Sequence, residues 1–154
     1  MFAGKGLVQV PYRLTIEISA KHAEQISSHS RESYPIEACG VLIGTLTGDV
    51  RTVIEVWPAK NQLSSKSAYE IDPETLFRAF CHAEENKIEV IGFYHSHPFW
   101  SADASEVDKA RANYPGFSYV IYSILRNKIE SFYFDGRELI QERVKTINGQ
   151  DPIL

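Results

Sequence analysis

Tyr94-His95-Ser96-His97-Pro98-Phe99-Trp100-Ser101-Ala102-Asp103-Ala104-Ser105-Glu106-Val107-Asp108 is the stretch from which the rest of the chain is read. Residues 88–95 before it (IEVIGFYH) are almost wholly apolar and β-branched or aromatic, the pattern of a strand buried on both faces. Side chains alternate along a strand, so His95 and His97 project from the same face and can reach one point. Neutral imidazole is a common zinc ligand, and zinc requires such convergence. Two surface histidines at a strand end are the plain alternative.

After seven intervening residues, His97 is followed by Ser105, a helix start, with Asp108 one turn in. A carboxylate there can complete a set of two nitrogens and one oxygen. The fourth position is then open to water, as in a catalytic zinc site. Ser105-Glu106-Val107-Asp108 fits a helix capping box equally well, and at this level both readings stand. Upstream, Glu37 precedes a second apolar run, residues 36–46 (IEACGVLIGTL). An acid beside a buried strand is costly without a partner, and a zinc-bound water is a suitable one. Exposure at the strand edge is the alternative.

Glu37, then distant His95-Ser96-His97, then Ser105-x-x-Asp108, resembles the signature of the JAMM (MPN+) zinc metallopeptidases. The flanks around Tyr34–Gly44 and Val90–Pro98 resemble the family's first strand and its histidine strand. The likeness covers about residues 14–134, and the chain looks like the compact prokaryotic type. One departure is Ala104, where many members have proline before the motif serine. The resemblance implies a fold related to cytidine deaminases and one zinc ion per chain, held by His95, His97, Asp108 and water. It implies Glu37 as general base and acid, Ser105 as oxyanion donor, and hydrolysis of an amide bond. The cut would follow the C-terminal tail of a ubiquitin-like or sulfur-carrier protein. That tail is expected to add as a strand near residues 67–69. The rival readings are a non-catalytic scaffold and a zinc-dependent small-molecule deaminase or amidohydrolase. Scaffolds typically lack a ligand, and the deaminase pattern of His-x-Glu with Pro-Cys-x-x-Cys is missing.

The remaining residues set the frame. Residues 13–19 alternate as a half-buried strand, and residues 20–33 read as a helix ended before Pro35. Residues 50–57 return from the turn at 47–49 as a hairpin partner. Residues 68–71 read as a short strand. Asp72-Pro73-Glu74 opens a helix to about Asn86, with Leu76, Phe77, Phe80 and Ala83 as its apolar stripe. The helix opened at Ser105 should run to Pro115-Gly116. Residues 117–124, 129–134 and 138–146 read as three further strands. The fold class is α/β: a mixed, mostly antiparallel sheet flanked by about three helices. One domain is expected over residues 13–147, with a lead-in at 1–12 and a tail at 148–154.

A chain of 154 residues buries about 68–70% of its unfolded surface and needs no staple to fold. Twenty acids against 16 bases, with no basic cluster, argue against nucleic acid. No apolar run is long enough to span a bilayer, and Met1–Val10 reads as no secretory leader. Cys39 and Cys81 make no disulfide framework, so a cytoplasmic, reducing setting is expected. Cys39 shares the neighbourhood of Glu37 but reads as an inert buried thiol, and Cys81 as core. Phe99 and Trp100 either border a substrate groove or pin a loop. Asn61 either lies on the substrate path or caps a turn. Ser96 faces away from the histidines, and His22, His29 and His82 read as surface or satisfied residues.

Overall fold

In the computed structural model, residues 14–147 are described. The expected lead-in and tail lie outside them. Seven strands and three helices follow one another. They are β1 (Thr15–Ser19), α1 (Ala20–Ser33), β2 (Cys39–Thr47), β3 (Val50–Ala59) and α2 (Pro73–Glu85). Then come β4 (Glu89–His97), α3 (Glu106–Arg111), β5 (Ser118–Ser123), β6 (Lys128–Phe134) and β7 (Leu139–Ile147).

The strands close into a barrel in the order β1-β3-β2-β4-β5-β6-β7. Pairs β2/β3, β2/β4, β5/β6 and β6/β7 are antiparallel, whereas β1/β3, β1/β7 and β4/β5 are parallel. The α/β class and the antiparallel majority agree with the sequence. Closure does not follow from strand patterns, because β1 finds its second partner only in β7, the last strand.

β2 and β4 are buried on both faces. Leu42 and Tyr94 pack with Ile26 of α1 in one core, and Val41, Ile43 and Phe93 pack with Ala79 and Ala83 of α2 in another. Gly92 lets β4 and β5 approach: a Cβ there would lie 2.2 Å from the Ser118 carbonyl oxygen. In β4 the register shifts opposite Leu42/Ile43, so Ile91 is the extra residue of a bulge. From Phe93 onward the α2 face is taken by Phe93, His95 and His97.

Helix starts follow the sequence. Ser19 caps α1, and Asp72 caps α2 by accepting from Thr75 N at 3.0 Å. Four expectations need correction. Phe77 is 69% exposed; the buried stripe of α2 runs through Ala79 and Ala83, with Leu76 beside it, and Phe77 sits about 100° away from Leu76. Residues 68–71 form no strand, only one isolated bridge, Asn61 to Ile71. α3 ends at Arg111 rather than at Pro115-Gly116, with Ala112 already extended. Cys81 is half-buried, not core.

Candidate metal centre

β4 ends at the site, so both histidines stand on a strand buried at every residue but its first. His95 and His97 are each 1% exposed. Their Nε2 atoms lie 3.3 Å apart. Asp108, in the first turn of α3, meets them with both oxygens. Oδ1 is 3.0 Å from His95 Nε2, and Oδ2 is 3.1 Å from His97 Nε2. The three donor atoms lie within 4.8 Å of one another. Two imidazole nitrogens and a carboxylate, offered from rigid elements to one point, are a donor set that fits zinc and leaves a position open.

The surroundings orient each group and bias its charge. The His97 Nδ1 is 2.7 Å from the Ser101 carbonyl oxygen, which holds a proton on Nδ1 and turns the Nε2 lone pair to the centre. Burial pushes the His95 pKa down, against Asp108, and favours the neutral ring. Burial alone would lower His97 too, but its bonds to Asp108 and the Ser101 carbonyl leave it raised. Burial would likewise raise Asp108, yet the two histidines hold it well below the usual carboxylate range.

The capping box is present, and its carboxylate also faces the imidazoles. Ser105 Oγ accepts from Asp108 N at 3.0 Å, and Ser105 N donates to Asp108 Oδ2 at 2.9 Å. Both halves of the box are present while the same carboxylate faces the imidazoles. As the N-cap, the Ser105 hydroxyl acts as acceptor, so its proton is free for another partner.

Glu37 is 1% exposed, not at a solvent edge. Its Oε1 has no hydrogen-bond partner. Burial pushes its pKa up to about 8, with His97 pulling the other way. The backbone holds it in place. Glu37 N donates to Ser65 O at 2.9 Å, Asn61 Nδ2 donates to Glu37 O at 3.0 Å, and Ala38 N donates to Ser96 Oγ at 2.8 Å. Ser96 is therefore structural. Cys39 is fully buried and its thiol is pushed up to about 12 by burial, so it is inert. His22, His29 and His82 are satisfied by Ser19, Tyr94 and Glu55.

Asn61 organises the loop between β3 and α2. Besides Glu37 O, its amide donates to Ala68 O at 3.0 Å, and its oxygen accepts from Leu63 N and Glu70 N. The loop so closed lays Tyr69 on His95, with centroids 4.4 Å apart and planes 20° from parallel. The sequence does not single out Tyr69, because nothing local marks a loop tyrosine that stacks only after closure. On the other histidine, Trp100 lies 5.8 Å from His97, followed by Phe99 at 6.2 Å from Trp100 and Tyr34 at 5.4 Å from Phe99. Six rings thus run in a row through the centre. Beyond Tyr69 opens a cavity of ≈ 310 Å³ walled by Ile71, Leu76, Phe93, Tyr114 and Tyr119.

Residues 19–135 match the family described as prokaryotic homologs of the JAB domain. The chain is 37% identical over 113 residues to the desampylase of Haloferax volcanii, spanning 70% of this chain and 80% of that one. It is 27% identical over 150 residues to the CysO-cysteine peptidase of Mycobacterium tuberculosis, spanning 96% and 98%. A solved protein from Desulfitobacterium hafniense superposes with a TM-score of 0.78 at 32% identity, covering 86% of this chain and 92% of that one.

Proposed function

The chain belongs to the prokaryotic JAB-domain family, of JAMM type, and we propose that it is a zinc-dependent isopeptidase acting after the C-terminal tail of a ubiquitin-like or sulfur-carrier protein. One observation carries the reading: the His95, His97 and Asp108 donors converge next to Glu37, a buried carboxylate with an unpartnered oxygen and electrostatic coupling to His97 and Asp108. The relatives named desampylase and CysO-cysteine peptidase support it. Residues 13–147 are taken as its domain.

His95, His97 and Asp108 hold the metal. Zinc bound there acts as a Lewis acid and makes water nucleophilic near neutral pH. Glu37, buried beside the donors with an unpartnered oxygen, takes a proton from the attacking water and later gives it to the departing nitrogen. The uncommitted Ser105 proton is directed at the developing oxyanion. The substrate tail is held by backbone. Tyr69 N–H and C=O lack partners among the described residues, while Ala68 and Glu70 are tied to the Asn61 side. An extended tail pairing with Tyr69 would run beside His95.

Mass spectrometry of a carrier-protein conjugate tests this with wild type, chelator-treated protein and Glu37→Gln. Wild type should bind one zinc and cleave, Glu37→Gln should bind zinc without cleaving, and His97→Ala should do neither. A fully active Glu37→Gln would overturn the assignment. Bulky replacements of the carrier's terminal glycines should block cleavage, because the tail passes close to the Tyr69–His95 stack.

A further inference from the structure

The loop between β4 and α3, residues 98–104, brings the Ser101 carbonyl up behind His97. Among the described residues it forms no backbone–backbone hydrogen bond. Two consecutive carbonyls of the loop are held by side chains instead. His97 Nδ1 lies 2.7 Å from Ser101 O, and Ser123 Oγ donates to Trp100 O at 2.6 Å. Ala102, packed with Ile121 and Phe132, adds an apolar anchor.

Ser123 comes from β5, a strand that supplies no donor to the metal centre. Its place is set by register. β4 and β5 run parallel, with His97 opposite Ser123 and Phe93 opposite Tyr119. Phe93 and Tyr119 share the core under α2, so by alternation Ser123 projects from the face that carries His97. The side chain is fully buried. Its hydroxyl accepts from Arg126 N at 3.0 Å, which leaves its proton for the Trp100 carbonyl. The turn that follows is tied on both sides. Ile124 N donates to His97 O at 3.1 Å, and Asn127 Oδ1 accepts from Tyr122 Oη at 2.7 Å and from Arg31 of α1 at 3.2 Å.

A histidine ligand is oriented by the hydrogen bond at its other ring nitrogen, and loss of such a partner typically costs about 10–100-fold in metal affinity. For His97 that partner is a main-chain oxygen, which no substitution of Ser101 removes. Its position depends on what holds the adjoining peptide group, and that is the Ser123 hydroxyl. We propose, on the zinc-hydrolase reading above, that Ser123 is a positioning residue for the metal centre. Through the Trp100 and Ser101 carbonyls it fixes the orientation of His97 toward the ion.

Zinc dissociation constants from competition with a chelator test this, read beside thermal midpoints of the metal-free proteins. Ser123→Ala deletes the hydroxyl. Ser123→Thr and Ser123→Val share one shape and differ in the hydroxyl, so strain from the added methyl is common to both. Ser131→Ala deletes another fully buried serine hydroxyl, one that bonds Glu142 in β7. Ser123→Ala should bind zinc about 10–100-fold more weakly than wild type, and Ser123→Val should be weaker than Ser123→Thr by a similar factor. Ser131→Ala should lower the midpoint of the metal-free protein yet bind zinc as wild type does. An unchanged zinc affinity in Ser123→Ala, equal affinities in Ser123→Thr and Ser123→Val, or an equal loss in Ser131→Ala would overturn the proposal while leaving the hydrolase reading intact. A wild type that binds no zinc would overturn both.

Discussion

Asp108 divides its labour between two oxygens: Oδ1 faces His95 alone, whereas Oδ2 meets His97 and the Ser105 amide. Ser105 is similarly split, its oxygen accepting from the helix and its proton left over. The two roles separate by substitution. Ser105→Ala should lower stability by about 1 kcal/mol, the usual value of a cap, whereas Ser105→Gly should lower it by only a few tenths. Both should cut kcat by on the order of 10²–10³ if the hydroxyl serves the oxyanion. Urea unfolding beside steady-state kinetics reads the difference. Equal kinetics for Ser105→Ala and wild type would leave Ser105 as a cap only. At this scale the sequence was most informative. His95, His97 and Asp108 sit on regular elements, where spacing translates directly into direction. The Ser101 carbonyl behind His97 was invisible, because a backbone oxygen leaves no trace in residue identity.

Elements placed by local signals were legible, and the connections between them were not. Caps, turns and the two doubly buried strands follow from residue chemistry. The loop after β3 does not, since its form depends on Asn61, whose side chain reaches several positions along the loop and the Glu37 carbonyl. Alternating residues at 68–71 look like a strand, but only the Asn61–Ile71 bridge forms, because Asn61 and Gln62 alone face them. Asn61→Ala leaves buried carbonyl and amide groups unpaired and should cost about 2–3 kcal/mol, measured by chemical denaturation. It should also raise KM for the carrier, since Tyr69 loses its support. A variant with unchanged KM would detach the loop from substrate binding. Gly92→Ala should fail more broadly, because its Cβ would collide with the Ser118 backbone and push β5 from β4.

On the scale of the whole molecule, the closed strand order and the apolar clusters hold the barrel through contacts that need no metal. Chelation should therefore abolish activity without unfolding the barrel, checked by circular dichroism. It should lower the thermal midpoint by roughly 5–10 °C, as about 2.7 kcal/mol of ligand stabilisation is withdrawn from a chain of this size. A second charge system lies within the barrel. Glu142 is buried, with Ser131 donating to it at 2.7 Å and Arg51 at 3.9 Å. Burial raises its pKa above the ordinary 4.5. Its contribution to stability is thus fully present below that value and is lost as pH rises through the raised one. Unfolding free energies at acid and alkaline pH should show wild type losing ground to Glu142→Gln as pH rises; the opposite slope would contradict the burial effect. Barrel closure also bears on how the protein is made. β1 is the first described strand to leave the ribosome, yet one of its two neighbours is β7, the last. Until residues 139–147 emerge, β1 and β6 each keep an open edge, able to pair with a neighbouring nascent chain. Stalling or truncation just before Leu139 should therefore yield an aggregation-prone product, even though every residue of the candidate metal centre has already been synthesised.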